Sequence, residues 1–87
     1  MQNEYDNVNH PAHYQSSIGI ETIDIIEACT ENLVGMDAVY TGNIIKYISR
    51  WKKKNGLEDL EKAQWYLCRL IEKVEKSEKE KEYNEEV

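Results

Sequence analysis

Apolar side chains recur at helical spacing through the middle of this chain, broken once by Asn55-Gly56, and that pattern leaves few folds open. Tyr40, Ile44, Tyr47, Ile48 and Trp51 fall at i, i+4, i+7, i+8 and i+11, and Leu60, Ala63, Leu67, Leu70, Ile71 and Val74 continue at helical spacing beyond the break. A period near 3.6 puts each set on one face of a helix. Gly56 supplies the left-handed conformation that a helix C-cap requires, so Asn55-Gly56 is predicted to end the first of these helices. Asp37 suits the start of that helix, since a carboxylate is stabilised at the positive end of the helix dipole. Glu58 and Asp59 mark the first turn of the next helix in the same way.

Upstream, Ile20 to Cys29 is rich in β-branched residues, yet its acids Glu21, Asp24 and Glu27 recur every three residues, which fits a short helix with one wet face. Residues 1–18 show no period and are rich in Asn, His and Ser, so they read as an irregular arm. After Val74 the chain runs EKSEKEKEYNEEV, a solvated helical extension supported by Glu/Lys pairs three and four apart. The expected architecture is all-α: an arm (1–18), a helical domain of three main helices (19–76) and an acidic extension (77–87).

With 87 residues there is room for one domain, whose chain buries little more than about 60% of its unfolded surface. A homo-oligomer is the natural remedy for so thin a core, and a tetramer is favoured over a dimer. The N-terminus MQNEYDNVNH has no cationic start followed by an apolar run, and no stretch approaches the roughly 20 apolar residues that cross a bilayer, so a cytoplasmic protein is expected. Cys29 and Cys68 lie far apart outside any metal-ligand spacing and are expected to be buried as small hydrophobes. No metal or cofactor is called for.

Charge is distributed unevenly. The formal net charge is -6, but the nine residues KYISRWKKK from Lys46 to Lys54 hold five cations and no acid, interleaved with Tyr47 and Trp51. A compact positive stripe with flat rings suits a small anion that carries a ring, which describes a nucleotide. Overall acidity opposes long phosphate tracks, so a nucleic-acid-binding or interaction module is the weaker reading.

Three groups of residues carry candidate chemistry. In NHPAHYQ, Pro11 keeps His10 out of helical geometry, so His10, His13 and Tyr14 lie on an extended segment where imidazole can donate to a phosphate or move a proton; packing of the arm across the helices is the plain alternative. Around Gly42, the residues Asn43, Lys46 and Arg50 share one face a turn apart, able to hold an amide donor and two cations against a phosphodiester, with Tyr47 beside them and Lys54 further on. Gly42 itself costs the helix roughly 1 kcal/mol against Ala, which a close helix crossing or a ligand would explain. In EDLEKAQWYL, Asp59 can accept from a base edge or a ribose hydroxyl, Lys62 adds a cation, and Trp65 or Tyr66 can stack or complete the core.

NHPAHYQ, GIETIDIIEA and GNIIKYISRWKKKNGLEDLEKAQWYL, in this order and spacing, resemble a family of small, mostly phage-encoded proteins often labelled nucleotide kinase or left uncharacterised; the resemblance covers roughly residues 8 to 71. It implies ligand contacts from His10, His13, Tyr14, Asn43, Lys46, Tyr47 and Arg50. It also implies one of two activities: phosphorylation of deoxynucleoside monophosphates, or sequestration of the cyclic nucleotide signals of bacterial anti-phage immunity.

The residues themselves weigh between these. The four glycines stand singly at positions 19, 35, 42 and 56, so the chain has no GxxxxGK[ST] phosphate loop, and one short subunit struggles to enclose a donor and an acceptor nucleotide together. A binder needs less: cations for two phosphates, flat side chains for two bases, and a two-fold axis that supplies each set twice. The expectation is a homo-oligomer that binds cyclic dinucleotides without cleaving them, with nucleoside monophosphate kinase as the alternative.

Overall fold

The computed structural model describes residues 19–86, apart from the side chains at 85 and 86. The described residues form three helices: α1 (Thr22–Thr30), α2 (Met36–Arg50) and α3 (Leu57–Glu86). The all-α expectation is met. The arm, with His10, His13 and Tyr14, lies outside the described residues.

Helix α1 starts two residues later than the acid period suggests, because Glu21 is extended, with φ -93° and ψ 149°. Its carbonyl accepts from the amides of Asp24 and Ile25, which opens the first turn. At the other end the Thr30 hydroxyl donates to the Ile26 carbonyl at 2.7 Å. Helix α2 packs against both α1 and α3 and is the central element. Where α1 meets α2, a Cβ on Gly42 would stand 3.4 Å from the Ile26 methyl, an ordinary van der Waals distance. The helix crossing therefore accounts for a small residue there. Asp37, in the first turn of α2, accepts from the Lys73 ammonium at 2.7 Å and ties α2 to the middle of α3.

The end of α2 departs from expectation. The helix stops at Arg50, and residues 51–56 form a hydrogen-bonded turn in place of another turn and a half of helix. The amides of Lys53 and Lys54 donate to the Arg50 carbonyl, and that of Gly56 closes on the Trp51 carbonyl at 2.7 Å. Gly56 does take the left-handed conformation, with φ +57°, but it caps the turn. The physical reason is Asp59: its carboxylate accepts from the Asn55 backbone amide at 3.2 Å and from the Asn55 side-chain amide at 3.3 Å, which draws residue 55 away from the helical ladder. Lys53 and Lys54 consequently lie on a turn and do not extend the cationic face of α2.

Helix α3 runs unbroken for 30 residues, about 45 Å, and every described side chain from Ile71 onward is exposed. Among the described residues only Tyr40 and Ala63 are buried hydrophobics, joined by two buried polar residues, Arg50 and Asp59. Leu67, Ile71 and Val74, expected as core, are exposed. Both cysteines are free and exposed, which corrects the expectation that they are buried. Cys68 follows buried Ala63 by five positions, about 140° around the helix, and so points away from α2.

Candidate functional site

The residues that gather chemistry lie where the C-terminal half of α2 faces the first three turns of α3. Tyr47 is the centre. Its ring lies nearly parallel to that of Tyr66, with a 9° interplanar angle and centroids 5.9 Å apart. Tyr66 in turn meets Tyr40 at 6.4 Å and Trp65 edge-on at 5.0 Å, so four aromatic rings form one cluster. Over the Tyr47 ring stand three cations: Lys46 Nζ at 4.8 Å, the Arg50 guanidinium at 4.8 Å and Lys62 Nζ at 5.5 Å. The negative face of an aromatic ring attracts such cations. Helical spacing explains the convergence: Lys46 and Arg50 are four apart on α2, while Lys62 and Tyr66 are four apart on α3.

The three cations are held differently. Arg50 donates from Nε to Asp59 Oδ2 at 3.3 Å and from Nη2 to Asp59 Oδ1 at 3.2 Å, a two-point pair in which Asp59 is fully buried and Arg50 is 8% exposed. Burial pushes the Asp59 carboxyl upward, but hydrogen bonds from Arg50 and Asn55 and the Arg50 charge outweigh it, so its pKa falls below the ordinary aspartate value. The ion pair is thus fixed in its charged form. Lys62 pairs with Glu58 at 3.1 Å on the surface; the hydrogen bond that its ammonium donates to that carboxylate, opposed by partial burial, raises the lysine's pKa. Lys46 has no ion pair among the described residues.

Of the residues singled out from sequence, the structure gathers Lys46, Tyr47, Arg50, Asp59, Lys62 and Tyr66 into one place. Asn43, a turn before Tyr47, donates its side-chain amide to the Val39 carbonyl of its own helix at 3.0 Å. Lys54 is exposed on the connecting turn. Arg50 and Asp59, assigned separately to phosphate and to a base edge, turn out to hold each other. Two residues were passed over. Asn55 supplies two of the Asp59 hydrogen bonds, and because the acid lies four residues on, outside the three-residue spacing of a capping box, no local signal marks it. Arg69 lies 5.6 Å from the Trp65 ring, four residues along α3, and that spacing was visible.

A family model described as a protein of unknown function, DUF3310, matches residues 8–68, most of the chain and all of this site but Arg69. The chain belongs to the DUF3310 family. No curated protein and no solved structure matches it. In this DUF3310 protein no described helix is long and apolar enough to cross a membrane, and no three His, Cys, Asp or Glu side chains among the described residues gather around a shared metal position.

Proposed function

We propose that this protein binds cyclic dinucleotides without cleaving them and, in a phage-infected cell, withholds these signals from host defence receptors. The observation that carries the reading is the Tyr47 ring with three cationic groups within 5.5 Å of its centroid, in a chain whose net charge is -6. A phosphodiester would take its charge from Lys46 and from Lys62, which can exchange its exposed Glu58 partner for a ligand. Arg50, engaged by Asp59, positions Tyr47 and the connecting turn. Trp65 is 57% exposed beside Arg69 and offers a flat face to a base, where stacking contributes about 1–3 kcal/mol. His10 and His13, within the span the family matches, would add hydrogen bonds to the ligand, and Tyr14 would add a ring to stack on it.

The test is a thermal-shift and calorimetric panel of nucleoside monophosphates, linear dinucleotides and cyclic dinucleotides, followed by mass spectrometry of the ligand released by heat. The proposal expects a cyclic dinucleotide to bind and to return intact, and the Lys46→Ala, Lys62→Ala double variant to bind at least tenfold more weakly while retaining its helix content. Binding of no cyclic dinucleotide would overturn it. So would a diphosphate product formed from ATP and a deoxynucleoside monophosphate at enzymatic rates, which would establish the kinase.

A further inference from the structure

The long helix exposes a second pattern that neither the aromatic cluster nor the packing against α2 uses. Leu57, Leu60, Gln64, Leu67, Ile71 and Val74 are spaced 3, 4, 3, 4 and 3 residues apart, the alternation of a two-stranded coiled-coil seam. Five of the six are exposed, with Leu57 at 69% and Leu67, Ile71 and Val74 at 45–46%. The seam starts at the first residue of α3 and stops where Glu78 and Lys81 take the next two positions. The seam runs for roughly 26 Å, and its first four members border an open apolar groove of about 440 Å³ against Ile44 and Ile48, the latter 50% exposed.

We propose that this face is covered by the same face of a second copy of the chain, with the two α3 helices parallel about a two-fold axis. Three observations select a copy of itself. First, a two-fold interface requires a self-complementary patch, and an alternating seam packs into its own twin, with partner side chains entering the groove as knobs. Second, Gln64 is the one polar member, in the middle of the seam. Against an apolar partner its amide would be buried without hydrogen bonds, whereas in a parallel pair it meets the partner's Gln64 and both amides can donate and accept. Third, the flanks differ. Ala63 and Leu70, on the side toward α2, are buried and half-buried, and Glu61, Cys68 and Glu75 line the other side, exposed. Antiparallel pairing, with Leu57 opposite the partner's Val74, would oppose like flanks and set the Gln64 amide against the partner's Leu67; parallel pairing opposes unlike flanks and keeps Gln64 against its twin. The scarcity of buried hydrophobics among the described residues supplies the driving force. This interface is independent of whether a nucleotide binds.

Sedimentation of the full chain without ligand should give a particle of at least twice 10.2 kDa. In a background with Cys29→Ser and Cys68→Ser, Leu57→Cys alone and Val74→Cys alone should each form a disulfide-linked dimer under mild oxidation. Leu67→Glu should yield a monomer. A monomeric native chain would overturn the proposal and would assign the seam to residues 1–18 or to another protein. Cross-linking only when Leu57→Cys is mixed with Val74→Cys would mean an antiparallel pair and overturn the orientation. Should Leu67→Glu fail to fold, the cysteine pattern decides alone.

Discussion

Replacing Arg50 with Ala separates a structural guanidinium from a ligand-binding one. If Arg50 served chiefly to neutralise a phosphate, the change would cost the free protein nothing and would slightly favour α2, since Ala is the better helix former. The geometry requires the opposite. Removing the guanidinium takes two charge-assisted hydrogen bonds, at 3.2 and 3.3 Å, from a carboxylate with no solvent exposure, leaving it only the two amides of Asn55. Breaking a buried pair from one side costs about 3–5 kcal/mol. Loss of the cation over Tyr47 adds up to about 1–2 kcal/mol. A loss near 4 kcal/mol lowers the ratio of folded to unfolded chain by about three orders of magnitude. For a small domain whose total stability lies at the low end of about 5–15 kcal/mol, that is most of it. Urea titration followed by far-UV circular dichroism, at one fixed protein concentration, measures the change. The double variant Arg50→Leu, Asp59→Leu should recover most of the loss, because no unpaired charge then remains. The reasoning fails if Arg50→Ala costs less than about 1 kcal/mol, or if the two single losses simply add in the double variant.

The lowered Asp59 pKa fixes a pH dependence. The folded value lies below the unfolded one, so the ion pair contributes in full above about pH 4 and its contribution fades as pH falls through the folded value. Urea midpoints measured from pH 7 down to pH 2.5 should therefore show the gap between the native protein and Asp59→Asn closing only below pH 4; parallel curves would refute it. Two glycines should respond in opposite directions. Gly56→Ala forces φ +57° on a residue with a Cβ and should cost about 1–2 kcal/mol, whereas Gly42→Ala places its methyl at ordinary contact with Ile26 and should gain up to about 1 kcal/mol of helix propensity. A destabilised Gly42→Ala, read in the same denaturation assay, would show that the α1–α2 crossing has no room for the added methyl and would refute the prediction.

Periodicity located all three helices because burial of one face needs only a repeat near 3.6, and that repeat is written in Tyr40, Ile44, Tyr47 and their successors. It also brought Lys46, Tyr47, Lys62 and Tyr66 together, since four-residue spacings on two adjacent helices converge when the connection is short. The partner of Arg50 was not legible, for a definable reason. Spacing along α2 tells which face a cation occupies, but the carboxylate that meets it comes from the next helix, and only the path of residues 51–56 shows that the two touch. Capture of Asn55 by Asp59 likewise overrode the local signal that Asn55-Gly56 ends a helix. The exposure of Leu67, Ile71 and Val74 was not legible either, because a stripe has the same period whether its cover comes from the same chain or from another.

The charges around Tyr47 do not cancel. Arg50 is matched by Asp59 and Lys62 by Glu58, but Lys46 stands over the same ring without a carboxylate among the described residues, which leaves a local surplus of one positive charge within a chain of net charge -6. Three cations within 5.5 Å of one ring repel one another, and carboxylates offset this at two of them, Asp59 at Arg50 and Glu58 at Lys62. A phosphodiester bound as proposed would relieve the remaining repulsion, its gain coming from half-buried ammonium groups that salt screens over about 8–10 Å. Affinity for a cyclic dinucleotide should accordingly weaken steadily with added salt, while the stability contributed by the Arg50–Asp59 pair, shielded from solvent, should hardly change. The two dependences can be measured on one sample by titrating ligand and urea at low and high ionic strength. Equal salt sensitivity of both would mean that the site and the staple are not electrically distinct, and the division of labour between Lys46 and Arg50 would fall with it.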